Sequence, residues 1–529
     1  MREPIKRDVD VVVVGAGFGG LYMAQKLREL GMSMQGFDAA KDVGGTWYWN
    51  RYPGARCDIA SLYYSYTWSP EVQKEWRWTE KYAAQPELLQ YAGFVADKYD
   101  LRRDFIFETK VNKAHWDARS GRWMVTTEQG DVVNARFCVM ATGCLSVPRE
   151  PRIPGEHDFK GEVYHTGRWP HEKVDFTGKR VAVIGTGSSA IQSIPQIAKE
   201  ASQLYVMQRT PNFSVPARNG PLTDKDYQIF WDNYEAFRAM VLAGTEGIAG
   251  GGPSKNFTPE QIQERFETLW RIGGAGFLGA LADLLTNQTA NDIAANFVRS
   301  KIREMVKDPA TAEALCPDDH PIGAKRICVD IDYYETYNRD NVRLVNLRNE
   351  PIEAITASGI KTSAGDYEVD AIVFATGFDA MTGALLNIDI CGENHLALKD
   401  VWKDGPKSLL GIQVAGFPNL FTLTGPGSPS VLSNMISSNE QHVDWVTGLL
   451  AHMKKEGLTR VEARQDSQDR WAEHVNEAAA KTLFPTANSW YMGANIPGKP
   501  RVFMPYVGGR YRQKCNDEAA AGYPSFELA

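Results

Sequence analysis

The chain has 529 residues, too many for one hydrophobic core, so two or three domains are expected. Its 43% hydrophobic and 23% charged residues are an ordinary globular composition, and a net charge of -7 argues against nucleic acid or an anionic membrane surface as main partner. No apolar run approaches the roughly 18 residues of a membrane span, residues 1–10 do not read as a signal peptide, and seven dispersed cysteines without C-x-x-C or zinc spacing read as reduced thiols of a cytoplasmic protein with no metal site.

In chain order, residues 11–14 form a continuous valine run, the mark of a strand buried on both faces of a parallel sheet. The turn Gly15-Ala16-Gly17-Phe18-Gly19-Gly20 follows, then a helical pattern (Leu21, Ala24, Leu27, Leu30) with Gly31 at its C′ position, and a strand over 32–37 ending at Asp38. This is a complete βαβ unit with a glycine-rich phosphate turn. Next comes Gly44-Gly45-Thr46-Trp47-Tyr48-Trp49, which runs on through Arg56-Cys57-Asp58. Twelve aromatics lie from Trp47 to Tyr91, a composition that fits core packing and the walls of a planar cofactor.

A second unit repeats the plan: a strand at 180–184, the turn Gly185-Thr186-Gly187-Ser188-Ser189-Ala190, and a strand at 204–207. One such turn is weak evidence for a dinucleotide, whereas two inside legible βαβ units are strong evidence. The ends of the second strands differ. Asp38, 23 residues after Gly15, places a carboxylate where ribose hydroxyls are held; the same offset from Gly185 lands on Gln208, followed by Arg209 and Thr210. Loss of the carboxylate and gain of a guanidinium favour a 2′-phosphate, so FAD is assigned to the first turn and NADPH to the second. Strands at 137–140 and 371–374 each end in Ala-Thr-Gly. Residues 222–314 look helical, with a break at 247–253, and the mostly apolar 273–285 is expected to be a packed helix. The fold class is therefore α/β with two Rossmann-like domains and a helical insertion in the NADPH domain.

Between the two units lies Phe159-Lys160-Gly161-Glu162-Val163-Tyr164-His165-Thr166-Gly167-Arg168-Trp169-Pro170. It fits F-x-G-x-x-x-H-x-x-x-W-P and resembles the fingerprint of the type I Baeyer–Villiger monooxygenases. Five further segments, in family order, extend the resemblance over essentially the whole chain. The resemblance implies an enzyme that uses FAD, NADPH and O2 to convert a small to medium ketone into an ester or lactone through a C4a-peroxyflavin, with sulfoxidation as a side activity. It places the FAD domain at 1–147 and 378–529, the NADPH domain at 148–221 and 321–377, and the helical insertion at 222–320. Monomer or weak dimer is expected.

The same resemblance distributes roles. Catalytic roles fall to Arg326 and to Asp58, which orients it. Toward FAD stand Gly15, Gly17, Phe18, Gly19, Gly20, Asp38, Gly45, Thr46, Trp47, Tyr48, Trp49, Asp58, Tyr64, Val111 and Met435. Toward NADP stand Arg56, Cys57, Asp58, Gly185, Thr186, Gly187, Ser188, Ser189, Gln192, Arg209, Thr210, Lys325, Arg326 and Trp490, the last in a glycine- and proline-rich lid over 489–501. Ile59, Cys144, Leu145, Ser430, Val431 and Leu432 would line the substrate pocket; the longer 425–435 segment resembles the phenylacetone/steroid subgroup. Phe159, Gly161, His165 and Trp169 are read as a hinge in an interdomain linker, not as proton-transfer groups. Alternatives are a flavin N- or S-oxygenating enzyme and a non-catalytic flavin redox sensor. A disulfide reductase would need paired cysteines, which the chain lacks.

Overall fold

The structure is a computed structural model in which residues 2–245, 250–493, 504–506 and 509–529 are described. Two sheets carry the architecture. In the first, β1 (Lys6–Val14) lies between β2 (Met34–Phe37) and the strand Val132–Met140, all parallel, with α1 (Phe18–Glu29) crossing between β1 and β2. Val11 to Val13 are fully buried, as a strand covered on both faces requires. An antiparallel pair, Val111–Asp117 and Arg122–Thr127, extends this sheet. Two strands from far downstream, Asp389–Cys391 and Leu420–Thr422, join it as parallel members.

The second sheet is wholly parallel. β3 (Arg180–Ile184) and β4 (Gln203–Gln208) flank α2 (Ser188–Glu200), and Ala371–Phe374, Val342–Asn346 and Glu162–His165 complete the order. The fingerprint's Glu162–His165 is thus an edge strand of this sheet, which corrects the reading of it as a linker. The ladder with Ala371–Phe374 supplies the backbone partners that a free linker would leave to solvent.

Among the described residues of 224–315 there are five α-helices, including Pro259–Ile272 and Gln288–Met305. Capping boxes at Thr223/Asp226 and Thr258/Gln261 start two of them. The expected helix at 273–285 is not one. Gly273 and Gly274 take φ of +78° and +88°, stopping the preceding helix, and only a 3-10 turn, Ala275–Gly279, follows. The segment is nevertheless packed, because Phe277, Ala280, Leu281 and Leu284 are buried. Part of the expected break at 247–253 and residues 494–501 of the expected lid lie outside the described residues. Among the described residues no helix is long and apolar enough to cross a membrane.

Candidate active site

The two glycine turns are built alike. Gly15 and Gly185 take φ of +110° and +111°, and a Cβ on either would meet a backbone oxygen, that of Ala141 at 2.4 Å and of Ala375 at 2.6 Å. Each turn therefore sits against the Ala-Thr-Gly that ends a neighbouring strand. In the first turn a Cβ on Gly20 would fall 1.8 Å from the Gly15 carbonyl oxygen, while Ala190 occupies the equivalent place in the second, fully buried. α1 and α2 start at Gly17 and Gly187 with no side-chain cap and no acidic residue in the first turn. Their first N–H groups are left for an anion.

Asp38 is fastened beside the first turn, accepting from Ala16 N at 2.6 Å and Ala40 N at 2.7 Å. Burial raises its carboxyl pKa, and those two N–H groups work against the rise. Val111 shares a buried cluster with Val14 and Phe37, the residues just before Gly15 and Asp38. Gly45 packs on Gly17, and Thr46–Trp49 forms one helical turn. Trp47 Nε1 donates to the Tyr64 hydroxyl at 3.2 Å, and Phe18 lies edge-on to Tyr64. Met435 begins the helix Met435–Glu456, and a Cβ on Gly19 would press on Asn439 of that helix.

Beside the second turn the Thr186 hydroxyl donates to Thr210 O at 2.9 Å, Ser189 meets Thr166 of the fingerprint at 3.2 Å, and Ser188 meets Cys328 at 3.3 Å. Arg209 is exposed at the end of β4. Lys325 lies near it; burial lowers the Lys325 pKa, Asp319 opposes that fall, and Arg209 and Arg348 add to it. Arg348 is a member of this basic group that sequence reasoning missed. Its guanidinium donates to Arg209 O at 3.1 Å and pairs with Asp318 and Asp319. No motif flanks it, and only the fold brings it to the turn.

Arg326 is where the two regions meet. Its Nε and one terminal nitrogen donate to the two Asp58 oxygens at 2.6 and 2.7 Å, and the other terminal nitrogen donates to Val431 O at 2.6 Å. Tyr491 lies close enough to the same guanidinium to interact with it. Burial pulls the Arg326 pKa down, but Asp58 and Tyr491 together more than offset it and leave it well above the ordinary value. The turn bearing Asp58 is docked on α2. Gly54 at φ +79° has the Gln192 carbonyl 2.3 Å from where its Cβ would be, and the Gln192 amide donates to Arg56 O at 3.0 Å. The Arg56 guanidinium is held by Glu80 at 2.7 Å and by the Tyr82 carbonyl, while the backbone of residue 56 meets Gln192 of α2. Cys57 is buried, and burial raises its thiol pKa.

Around Arg326 an apolar cluster gathers Cys144, Leu145, Val431, Leu432, Met435 and Trp490, with Met381 and Tyr491 beside them. Ser430 is fully buried at φ +44°, a strained bulge that sets the wall's shape. Ile59, which follows Asp58, packs against a different apolar cluster, that of the first turn and its helices. Trp490 packs edge-on against Tyr491, and it is Tyr491 that reaches the arginine. His165 is tied down: Nδ1 accepts from Gly167 N at 3.0 Å, and Nε2 meets Arg149 O and the Thr376 hydroxyl. Burial lowers its pKa. It joins the 149 segment to the second Ala-Thr-Gly and does not touch Arg326. Gly161 has no room for a Cβ against Phe159 and Asp370, and Trp169 stacks on Tyr164.

Residues 8–220 match the flavin-binding monooxygenase-like family. A Baeyer–Villiger monooxygenase of Pseudooceanicola batsensis is 42% identical over 536 residues, covering 99% of this chain and 97% of that protein. The chain belongs to the Baeyer–Villiger monooxygenases. Among solved structures, an oxidized steroid monooxygenase bound to NADP is 48% identical over 98% of this chain and 99% of its own, with a TM-score of 0.94. An OTEMO complex with FAD and NADP is 40% identical over all of both chains, with a TM-score of 0.95. The donor set fits two dinucleotides of this family: two uncapped helix N-termini, a carboxylate beside one, and the cations Arg209 and Lys325 beside the other.

Proposed function

We propose that this chain converts a small to medium ketone, O2, NADPH and a proton into an ester or lactone, NADP+ and water. Bound FAD and NADPH supply the hydride transfer and oxygen activation; the chain supplies position, charge and a dry pocket. The first turn with Asp38 holds the FAD diphosphate and ribose, and Gly45–Trp49 with Tyr64 forms flavin walls. The second turn holds NADPH, with Arg209, Thr210 and Lys325 at its 2′-phosphate. In keeping with the strands each sheet recruits, the FAD domain comprises 1–147 and 378–529, and the NADPH domain 148–221 and 321–377 with the insertion 222–320.

The observation that carries the reading is Arg326, clamped by Asp58, donating to Val431 of the apolar cluster, and with 27% of its side chain still open to solvent. A permanent cation there stabilises oxyanion charge that develops when oxygen adds to the carbonyl carbon. Two unit charges about 4 Å apart at an effective dielectric of about 20 interact by roughly 4 kcal/mol, worth roughly a thousandfold if confined to the transition state. Asp58 acts by position, fixing both edges of the guanidinium. The Cys144, Leu145 and Ser430–Leu432 wall receives the ketone's apolar part, in the manner of the steroid-type subgroup, and a soft sulfide entering it would be oxidised as a side reaction. Seven free cysteines favour a cytoplasmic setting.

The test is a ketone panel with the FAD-loaded enzyme, measuring NADPH consumed, ester formed and H2O2 released. The expected result is ketone-stimulated NADPH oxidation coupled to a product one oxygen heavier. NADPH oxidation giving only H2O2 with every ketone would overturn the reading.

A further inference from the structure

At an edge of the first sheet, the strand Asp389–Cys391 pairs in parallel with Val111–Asp117. The register sets Cys391 opposite His115 and Asp389 opposite Lys113, with Ile390 beside Ala114 between them. Side chains alternate along a strand. Ile390 and Ala114 point into the core, and His115, Asp389 and Cys391 share the outer face. His115 Nε2 lies 2.9 Å from Asp389 Oδ2, Cys391 Sγ lies 3.6 Å from Asp389 Oδ1, and the three ligand atoms all fall within 4.8 Å of one another.

We propose that His115, Asp389 and Cys391 form a binding site for a divalent transition-metal ion of zinc-like chemistry, with water completing a tetrahedron. Three protein ligands of N, O and S type with one open position are the donor set such an ion takes. Bonds of about 2.0–2.3 Å bring tetrahedral ligand atoms to about 3.5 Å apart, within reach of side-chain rotation here. A thiolate beside an imidazole selects against magnesium and calcium, which want oxygen ligands. The backbone under the site is fixed: Cys391 also bridges Ala397, and Gly392 is seated with no room for a Cβ against the Gly416 carbonyl. Cys391 is also singular among the seven cysteines, since the other six are buried and it alone reaches the surface. As a mere exposed ion pair, His115–Asp389 would contribute little. On binding, the Cys391 thiol gives its proton to solvent and its sulfur pair to the ion, so one proton is released per metal taken up. The site does not rest on the ketone-oxygenating role of Arg326.

The test uses the full-length, FAD-loaded enzyme after chelator treatment, titrated with Co2+ and with Zn2+. We expect one equivalent of Co2+ to give ligand-field absorption to the red of the flavin, with thiolate character. Because a single thiol is accessible, its labelling by a thiol reagent reports directly on the site. Zn2+ should slow that labelling at least about tenfold, and His115→Asn should remove most of that protection. Cys391→Ser should abolish both the fast-labelling thiol and the cobalt band. No cobalt band in the wild type, or Zn2+ protection of equal size in His115→Asn, would overturn the site.

Discussion

The two glycine turns are the same device built to different tolerances. Gly15 and Gly185 share one backbone conformation and press on matching Ala-Thr-Gly carbonyls, so both turns are locked to a neighbouring strand. The first is the tighter. Gly20 touches the Gly15 carbonyl and Gly17 touches Gly45, whereas Ala190 fits the second turn and nothing lies within 4 Å of a Cβ on Gly187. The strand ends then diverge into a buried carboxylate, Asp38, and an exposed guanidinium, Arg209. Common packing makes a diphosphate site, and one or two side chains at the strand end decide which nucleotide it takes.

The sharpest way to break this comparison is a reciprocal exchange at the third small position. Gly20→Ala forces a Cβ onto a backbone oxygen 1.8 Å away and should yield protein that retains no flavin. Ala190→Gly should remain folded and destabilised by only about 1 kcal/mol, read as a small drop in Tm. Comparable flavin content in the two variants would dissolve the distinction between the turns.

Arg326→Ala removes the group on which both regions converge. Ester formation should fall at least about 100-fold while flavin reduction by NADPH persists and the reducing equivalents emerge as H2O2. Full ester yield in that variant would shift the oxyanion role elsewhere.

At the second strand end, Arg209→Ala should raise KM for NADPH by about 10–100-fold and leave KM for NADH nearly unchanged, since a charged hydrogen bond is worth about 1.5–3 kcal/mol. An equal rise for both nucleotides would show Arg209 to be structural.

The smallest expected effect is a pH dependence. Burial lowers the Lys325 pKa below its ordinary 10.5, with Asp319 opposing and Arg209 and Arg348 reinforcing the shift. A lysine with a depressed pKa loses its proton earlier on the alkaline side. KM for NADPH should therefore begin to climb at lower pH in the wild type than in Lys325→Arg, whose guanidinium stays charged. Superimposable profiles would remove Lys325 from the phosphate site.

Much of this protein was legible in the chain itself where the physics is local. The four-valine run, the two glycine turns and the strand at 180–184 all follow from steric rules and spacings of a few tens of residues, and the structure has each in place. The 273–285 segment misled because apolar content does not distinguish a helix from a packed irregular turn, and two adjacent glycines decided it. The fingerprint's place as an edge strand required the partner Ala371–Phe374, about two hundred residues later. Arg56 was assigned by its position in a motif, yet Glu80 and the Tyr82 carbonyl determine where its guanidinium points. Tyr491 and Arg348 carry no local signature and enter only through packing. The Arg326–Asp58 clamp spans 268 positions of sequence, and that span shows the division plainly. Residue type and short spacing specify turns and strands, because backbone sterics act over a few bonds. Which charged groups face one another depends on how two sheets are laid together, and only the tertiary structure decides that.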